Sequence, residues 1–418
     1  MVRRSVLGGL VAVLLVTCAS AAPRTGLSEL AAVGVQRQMP GADAPLSAVT
    51  DGITAFGYAL SKASAEPGRN WVSSPLSVAY AFAMARAGAR GETAAQIDSV
   101  FGFPAAGLHD AFNALTRQQV TVSGPLTRTQ DGSKTPVVCL ANGLFVAPGQ
   151  HVQAPFLHTL AASYGAGVRQ VQFGSPAAAQ AINDWVSAQT AGRIKKLFDD
   201  LDPMTRLVLA NAIYFKAGWV NRFGKSPTRQ DSFSRADGTT VQVPMMSSEE
   251  PMRYAQAAGW QAVELPYVGG RLAMWVVVPS GRGSPQDLLA PAVLAEVATG
   301  LRAESVRLSM PRWDFATDLE LDKVLPKLGL TAAFLDRQAD FSGMIPGVFI
   351  GQAVHRANIT VTESGTEAAA ATGLGFPMSA PPPARVVVRA DHPFAFAIVD
   401  VTTRLPLFVG QVADPSAR

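Results

Sequence analysis

The chain alternates between apolar stretches with the period of a helix and apolar stretches with the period of a strand. Two segments predict helices: the alanine-rich run Ser77–Ile97, interrupted by Gly88 and Gly91, and the amphipathic run within Phe173–Phe198. Seven short apolar runs predict strands, at residues 137–146, 206–215, 273–279, 306–313, 358–364, 385–390 and 394–401. Several of these strands are joined by loops instead of helices. The pattern therefore indicates an α+β fold with large, mostly antiparallel sheets.

The first residues have the three parts of a secretory signal. Arg3 and Arg4 supply positive charge, residues 6–16 form an apolar stretch too short to span a bilayer comfortably, and small residues follow at 18–23. This order of features is typical of a segment that is removed during export. It predicts a signal peptide over residues 1–22.

A second interpretation of the same segment is a bacterial lipoprotein signal. Leu15–Cys18 resembles the lipoprotein box, although Thr17 stands where a smaller residue is usual. We expect a secreted, extracellular protein. The alternative is a periplasmic or outer-membrane lipoprotein, which touches the membrane only through a lipid on Cys18. Residues 23–48 are rich in Ala, Gly, Pro and Ser and predict a linker, and residues 49–418 predict one folded domain.

Composition and motif content exclude several classes of function. A chain of 418 residues that is 48% hydrophobic is not disordered, and a net charge of +4 without a Lys/Arg block gives no reason to expect nucleic acid as a partner. The sequence contains no GxSxG, HExxH, CxxC or GxGxxG motif. Its five histidines lack metal-ligand spacing. We therefore expect neither an enzyme site nor a metal.

One long stretch near the C-terminus needs a functional explanation. Residues 361–384 read VTESGTEAAAATGLGFPMSAPPPA, and two strong strand patterns follow at once, so this loop lies inside the domain. Loops of this length are usually functional. Alternate positions are small and uncharged: Thr366, Ala368, Ala370 and Thr372. In an extended chain these side chains share one face and Glu367 lies on the other, so the loop is able to become a strand with a buried face.

The same residues carry a resemblance to a known family. ESGTEAAAAT (Glu363–Thr372) resembles the reactive-loop hinge of the serpins, a family of serine-protease inhibitors. Further segments are similar to this family in the same order along the chain: Ser73–Thr93, Leu209–Trp219, Val243–Met246, Val263–Pro279, Ala353–Ala368 and Ala390–Pro415. The resemblance covers about residues 50–415 and is to a secreted bacterial member.

The resemblance implies a fold and a mechanism. The fold is an α+β serpin fold with three β-sheets, about nine helices and an exposed reactive-centre loop. The partner is a serine protease held as a covalent acyl-enzyme, with a papain-like cysteine protease as a further candidate partner. A monomer without cofactors is expected. No glycosaminoglycan is expected either. Some family members have a basic heparin-binding helix, but here residues 108–120 contain only Arg117 as a fixed positive charge.

The resemblance also implies roles for individual residues. The hinge comprises Glu363, Gly365, Thr366, Glu367, Ala368, Ala369, Ala370, Ala371 and Thr372. The shutter cluster, which hydrogen-bonds beneath the strands that open, comprises Ser74, Ser77, Asn211 and His355. The breach, where the loop enters the sheet, contains Trp219 and Lys216.

Two scissile bonds remain open on the sequence. The family register from Gly365 points to Ser379–Ala380, whereas the local sequence FPMS favours Met378–Ser379, because a protease pocket gains more from burying a thioether than a serine side chain. Between Glu367 and Arg385 there is no Lys or Arg. The expected targets are therefore chymotrypsin-, elastase- or subtilisin-like enzymes and not trypsin-like ones.

Two other functions stay open as alternatives. The first is a non-inhibitory serpin that acts as a carrier, storage protein or chaperone. Such members commonly have charged or bulky hinge residues, or prolines, and the positions of this hinge that share the buried face, Thr366, Ala368, Ala370 and Thr372, have none of these. The second is an enzyme with an unrecognised site, for which the sequence offers no catalytic constellation.

Overall fold

The structure is a computed structural model that describes residues 27–119 and 137–417, apart from residues 191, 203, 225, 227, 282 and 367–384. The described part contains eight α-helices: α1 (Leu46–Ser64), α2 (Pro75–Gly88), α3 (Gly91–Phe101), α4 (Leu108–Gln119), α5 (Ala154–Thr159), α6 (Ala178–Gln189), α7 (Pro291–Gly300) and α8 (Leu321–Val324). It also contains sixteen strands: β1 (Ser28–Leu30), β2 (Trp71–Ser73), β3 (Val137–Val146), β4 (Val168–Gln170), β5 (Leu207–Gly218), β6 (Arg229–Ser234), β7 (Thr240–Ala257), β8 (Trp260–Pro266), β9 (Leu272–Pro279), β10 (Arg302–Pro311), β11 (Trp313–Glu320), β12 (Ile350–Thr362), β13 (Gly365–Thr366), β14 (Val386–Arg389), β15 (Phe394–Asp400) and β16 (Pro406–Val412). The predicted α+β class is confirmed.

Seven strands form the central sheet, in the order β1-β4-β3-β5-β13-β12-β11. Helix α2 lies between this sheet and the second one, since it contacts β3 and β5 on one side and β16 on the other. That position explains its composition. Almost every residue of α2 is buried, and small alanines let two sheets approach the same helix. Gly88 ends α2, and α3 begins at Gly91, as the glycine positions predicted.

The second sheet has nine strands, in the order β14-β10-β7-β8-β9-β15-β16-β2, with β6 paired to β7. Strand β7 pairs with β6 and β10 along most of its length and with β8 only at its C-terminal end. It therefore runs from an outer group of strands into an inner group. Because β7 is hydrogen-bonded to strands of both groups, the two groups form one continuous sheet. The structure therefore has two sheets where the resemblance implies three.

The centre of the first sheet contains a fork between two parallel strands. Strands β5 and β12 pair directly along Leu207–Ile213 and Ile350–Ala357 and then diverge. The two residues of β13 lie between the diverging strands and pair antiparallel with both. The fork therefore accommodates a short antiparallel strand between β5 and β12.

The described part of the predicted linker is packed on the domain. Strand β1 pairs antiparallel with β4 and extends the edge of the central sheet. Further along, the Arg37 side chain donates a hydrogen bond of 2.8 Å to Asn113 Oδ1 on α4, and the backbone N–H of Gln38 donates to the carbonyl of Ala162. Residues 27–48 therefore belong to the folded unit, in contrast to the linker expectation for 23–48. A three-residue edge strand held by backbone hydrogen bonds needs no apolar periodicity, so composition gave no sign of it.

None of the helices in the described part has the length and apolar character that crossing a bilayer requires.

Candidate functional site

The predicted hinge begins in the fork, at a position whose backbone conformation and close packing require glycine. Gly365 has φ +139° and lies opposite Gly218, and a Cβ at this position would come within 2.1 Å of the carbonyl oxygen of Ala217. Only glycine fits such a close approach with this backbone conformation. Thr366 follows with 1% of its surface exposed. Both residues of β13 therefore already lie inside the central sheet.

A stacked aromatic pair holds Thr366 in place. The Tyr267 hydroxyl lies 2.7 Å from Thr366 Oγ1, and both residues are buried. The Tyr267 ring stacks on Trp219, with ring centroids 4.5 Å apart, and Trp219 Nε1 donates a 3.0 Å hydrogen bond to the carbonyl of Thr362. Burial raises the pKa of Tyr267, so its hydroxyl stays neutral. Trp219, predicted at the breach, thus contacts both sides of the point where the loop enters.

Glu363 is fixed by donors from two other elements. Arg312 Nε donates a 2.9 Å hydrogen bond to Glu363 Oε1, and the Thr228 hydroxyl donates one of 2.7 Å to the same atom. Burial alone would raise the pKa of the Glu363 carboxyl, but the bonds from Arg312 and Thr228 outweigh burial and lower it. The carboxylate therefore anchors the chain just before it enters the fork.

Lys216, the second residue predicted at the breach, has a different environment. It pairs with Val137 across the ladder between β5 and β3. Arg312 forms an ion pair with Glu363 of the hinge. No local sequence pattern indicates a role for Arg312 or Tyr267, because each of them meets the hinge across a long separation in the chain.

The four residues of the predicted shutter cluster lie together beneath the fork. The Asn211 side chain on β5 donates to the carbonyl and the hydroxyl of Ser77, at 2.7 and 2.8 Å. Ser74 caps α2, because its hydroxyl accepts a 3.1 Å hydrogen bond from the N–H of Ser77. His355 on β12 lies in register with Asn211. Asn142 on β3 also accepts from Asn211 and extends the cluster by a residue that sequence reasoning missed.

The hydrogen bonds of His355 define its charge state. Its Nε2 accepts a 3.1 Å bond from the backbone N–H of Ser74, so its Nδ1 carries the proton and donates to Asn211 Oδ1. Complete burial lowers the pKa of His355 from 6.5 to about 3. The ring is therefore neutral at physiological pH and bridges β5 and β12.

His355 is expected to make the fold acid-sensitive. The unfolded chain binds a proton below pH 6.5, whereas the native ring does not until about pH 3, so stability present above pH 6.5 is lost as the pH falls. From pH 7 to pH 5 this loss is about 2 kcal/mol. In His355→Gln, urea midpoints at pH 7 and pH 5 should differ by correspondingly less than in the wild type. Burial also lowers the pKa of His109, to about 4, but both proteins share that contribution. Equal pH dependence in the two proteins would contradict this assignment.

Several predicted site residues lie outside the described part of the structure. They are Glu367, Ala368, Ala369, Ala370, Ala371 and Thr372 of the hinge, Met378, Ser379 and Ala380 at the reactive bond, and Cys18. Their roles stay predictions. Within the described ranges, no group of three or more His, Cys, Asp or Glu side chains is arranged to hold a metal ion.

Both the sequence and the fold of the chain are similar to those of known proteins. Residues 51–415 match the family model described as Serpin (serine protease inhibitor). A serpin-like protein of Thermococcus kodakarensis, TK1782, is 36% identical over 376 residues, which cover 88% of this chain and 86% of that protein. Human neuroserpin is 32% identical, with 91% and 94% of the two chains covered. The native state of tengpin, a thermophilic serpin, superposes with a TM-score of 0.78 at 26% identity and covers 87% of this chain and 94% of its own.

The chain belongs to the serpin family of serine protease inhibitors.

Proposed function

We propose that the protein is a suicide inhibitor of chymotrypsin-, elastase- or subtilisin-like serine proteases. One observation carries this proposal: Gly365 and Thr366 already pair as β13 inside the fork between β5 and β12. A strand that has begun to enter the sheet can be continued by the residues that follow it. The small, uncharged side chains after Thr366 suit such a continuation.

The chemistry begins in the protease. Its catalytic serine attacks the carbonyl carbon of the reactive-loop residue, an ester bond forms, and the peptide C–N bond breaks so that the following residue leaves with a free amino group. The cleaved loop then inserts as a new strand and carries the attached protease with it. About a dozen inserted residues add ladder hydrogen bonds of about 0.5–1.5 kcal/mol each, on the order of 10 kcal/mol together. This gain is comparable with the stability of many domains.

The register of β13 indicates which contacts insertion must break. Thr366 lies level with Ala217 on β5. Each further inserted residue takes one step back along β5, so the sixth residue after Thr366, Thr372, reaches the level of Asn211, the sixth before Ala217. His355 is the partner of Asn211 at that level. Full insertion therefore has to separate these two side chains, which gives the shutter cluster control over the opening of the sheet.

The reactive bond is expected to exclude trypsin-like enzymes. Because Lys and Arg are absent between Glu367 and Arg385, the buried carboxylate of a trypsin-like pocket finds no partner in this loop. Progress curves should show irreversible inhibition of chymotrypsin or subtilisin and none of trypsin. Mass spectrometry of the denatured, cleaved protein should find a C-terminal fragment that begins at Ser379 or Ala380. A fragment with another first residue, or rapid inhibition of trypsin, would contradict the proposed scissile bond and protease class.

The proposal extends to location and partners. The signal at residues 1–22 supports export, with a lipid on Cys18 as the alternative attachment to a membrane. The protein then acts outside the cytoplasm as a monomer, with the protease as its covalent partner and without a nucleic-acid or glycosaminoglycan cofactor. N-terminal sequencing of the exported protein tests this part: a start near residue 23 supports a cleaved signal, and a blocked, diacylated Cys18 supports the lipoprotein.

A further inference from the structure

A cavity of about 550 Å³ lies at one end of the second sheet, and its described lining includes no residue of the fork. Its walls come from the turn after α1, the hairpin between β6 and β7, the segment after β9, and the ends of β15 and β16. Glycine, proline and alanine make up more than half of the described lining residues, among them Pro67, Gly68, Gly238, Pro285, Pro393 and Ala413. This volume is within the range of small-molecule sites.

Two buried amides supply hydrogen-bond acceptors in the wall. Gln286 and Gln411 are 9% and 2% exposed. Gln286 Nε2 donates a 2.6 Å bond to the carbonyl of Ala65, and Gln411 Nε2 donates to the carbonyls of Glu66 and Arg69 at 3.1 and 2.7 Å. These bonds fix the orientation of both amide groups. In the described part of the chain no donor reaches either Oε1 atom, so both remain acceptors for a ligand.

The charged groups of the wall are already paired. Arg235 Nε donates a 2.6 Å bond to Asp414. His392 bridges Asp391 and the carbonyl of Pro279, each at 3.0 Å. Burying a ligand charge against such satisfied pairs gains little and costs solvation. The described wall therefore favours an uncharged ligand.

We propose that this cavity is a binding site for one neutral, largely apolar small molecule that donates hydrogen bonds to Gln286 and Gln411. The apolar body of the ligand lies against the glycine, proline and alanine surface, and its hydroxyl or N–H groups face the two amide oxygens. The site is separate from the proposed inhibitory function, and testing it requires no protease.

The test uses two fluorescent probes with the same aromatic core. N-phenyl-1-naphthylamine is neutral and has one N–H donor, whereas 8-anilinonaphthalene-1-sulfonate adds a negative charge. The neutral probe should bind the full-length protein saturably with one site and a micromolar dissociation constant, and the sulfonate should bind at least tenfold more weakly. Equal or tighter binding of the sulfonate would overturn the neutral ligand class.

A blocking variant locates the binding. Ala236 is exposed on the β6–β7 hairpin, lines the cavity and lies beside Gly68, so the larger side chain of Ala236→Trp takes up space in the cavity. It should abolish saturable binding, whereas Gln230→Trp, an equally apolar change on the exposed face of β6, should not. No binding to the wild type, or equal binding to Ala236→Trp, would refute the site.

A second pair of compounds tests whether the ligand must donate a hydrogen bond. 1-Naphthol and 1-methoxynaphthalene have similar apolar surfaces, but only the naphthol can donate a hydrogen bond. The naphthol should displace the neutral probe about fivefold more tightly, as one hydrogen bond predicts. Equal displacement by the two compounds would show that the amide oxygens do not recognise the ligand.

Discussion

Thr366→Arg is expected to convert the protein from an inhibitor of chymotrypsin into a substrate. Thr366 is 1% exposed, and its hydroxyl lies 2.7 Å from that of Tyr267. Among the described residues, the side-chain partner of Thr366 is the neutral hydroxyl of Tyr267, which cannot balance a guanidinium, and burying an unpaired charge costs several kcal/mol or more. The arginine therefore slows the continuation of β13 into the fork, and hydrolysis of the acyl-enzyme wins.

The stoichiometry of inhibition measures this competition. The wild type should consume about one molecule for each protease molecule inactivated, and Thr366→Arg should consume many and accumulate as cleaved protein. Thr366→Ser is the matched control, because it keeps the hydroxyl that meets Tyr267 and should stay close to the wild type. A Thr366→Arg protein that still traps chymotrypsin one-to-one would show that this loop does not insert through the fork.

Cleavage within the reactive loop is expected to raise the thermal stability of the protein sharply. Insertion of the freed strand separates the paired part of β5 and β12, and it replaces their one parallel ladder with two antiparallel ladders, one on each side of the new strand. A gain on the order of 10 kcal/mol in a chain of this size corresponds to a rise in Tm of roughly 10 °C or more. The uncut protein is then the less stable form of the fold.

Circular dichroism on intact and loop-cleaved protein measures the difference. Thr366→Arg, cleaved in the same way, is the control, because its strand should insert poorly and its Tm should rise much less. If cleavage leaves the Tm of the wild type equal or lower, the native state holds no stored free energy and the proposed driving force does not exist.

Local sequence patterns predict those helices and strands whose bounds are determined by residues adjacent in the sequence. The boundary between α2 and α3 follows from Gly88 and Gly91, and β3 and β15 follow from short apolar runs bounded by turn residues. Strand β7 escaped prediction. It contains Pro244, Pro251 and a polar stretch, and it is a strand because β6, β10 and β8 pair with it along its length. Such pairing lies beyond the reach of local propensity.

The same limit applies to the candidate site. The hinge pattern and the shutter residues were predicted through the family resemblance, because they lie in recognisable segments. Tyr267 lies 99 residues before Thr366, and Arg312 lies 51 residues before Glu363. Only the fold shows that Tyr267 faces the hinge and that Arg312 binds Glu363. Neither contact has a signature in the spacing of residues.

The central claim is that the protein traps a protease covalently, and a denaturing gel tests it most directly. Wild-type protein mixed with active chymotrypsin should give a band that survives boiling in SDS, at the summed mass of protease and loop-cleaved protein. Chymotrypsin with its catalytic serine blocked beforehand should give no such band, since the ester cannot form. Complete cleavage of the loop by active chymotrypsin without any covalent band would contradict the account and favour a non-inhibitory member of the family.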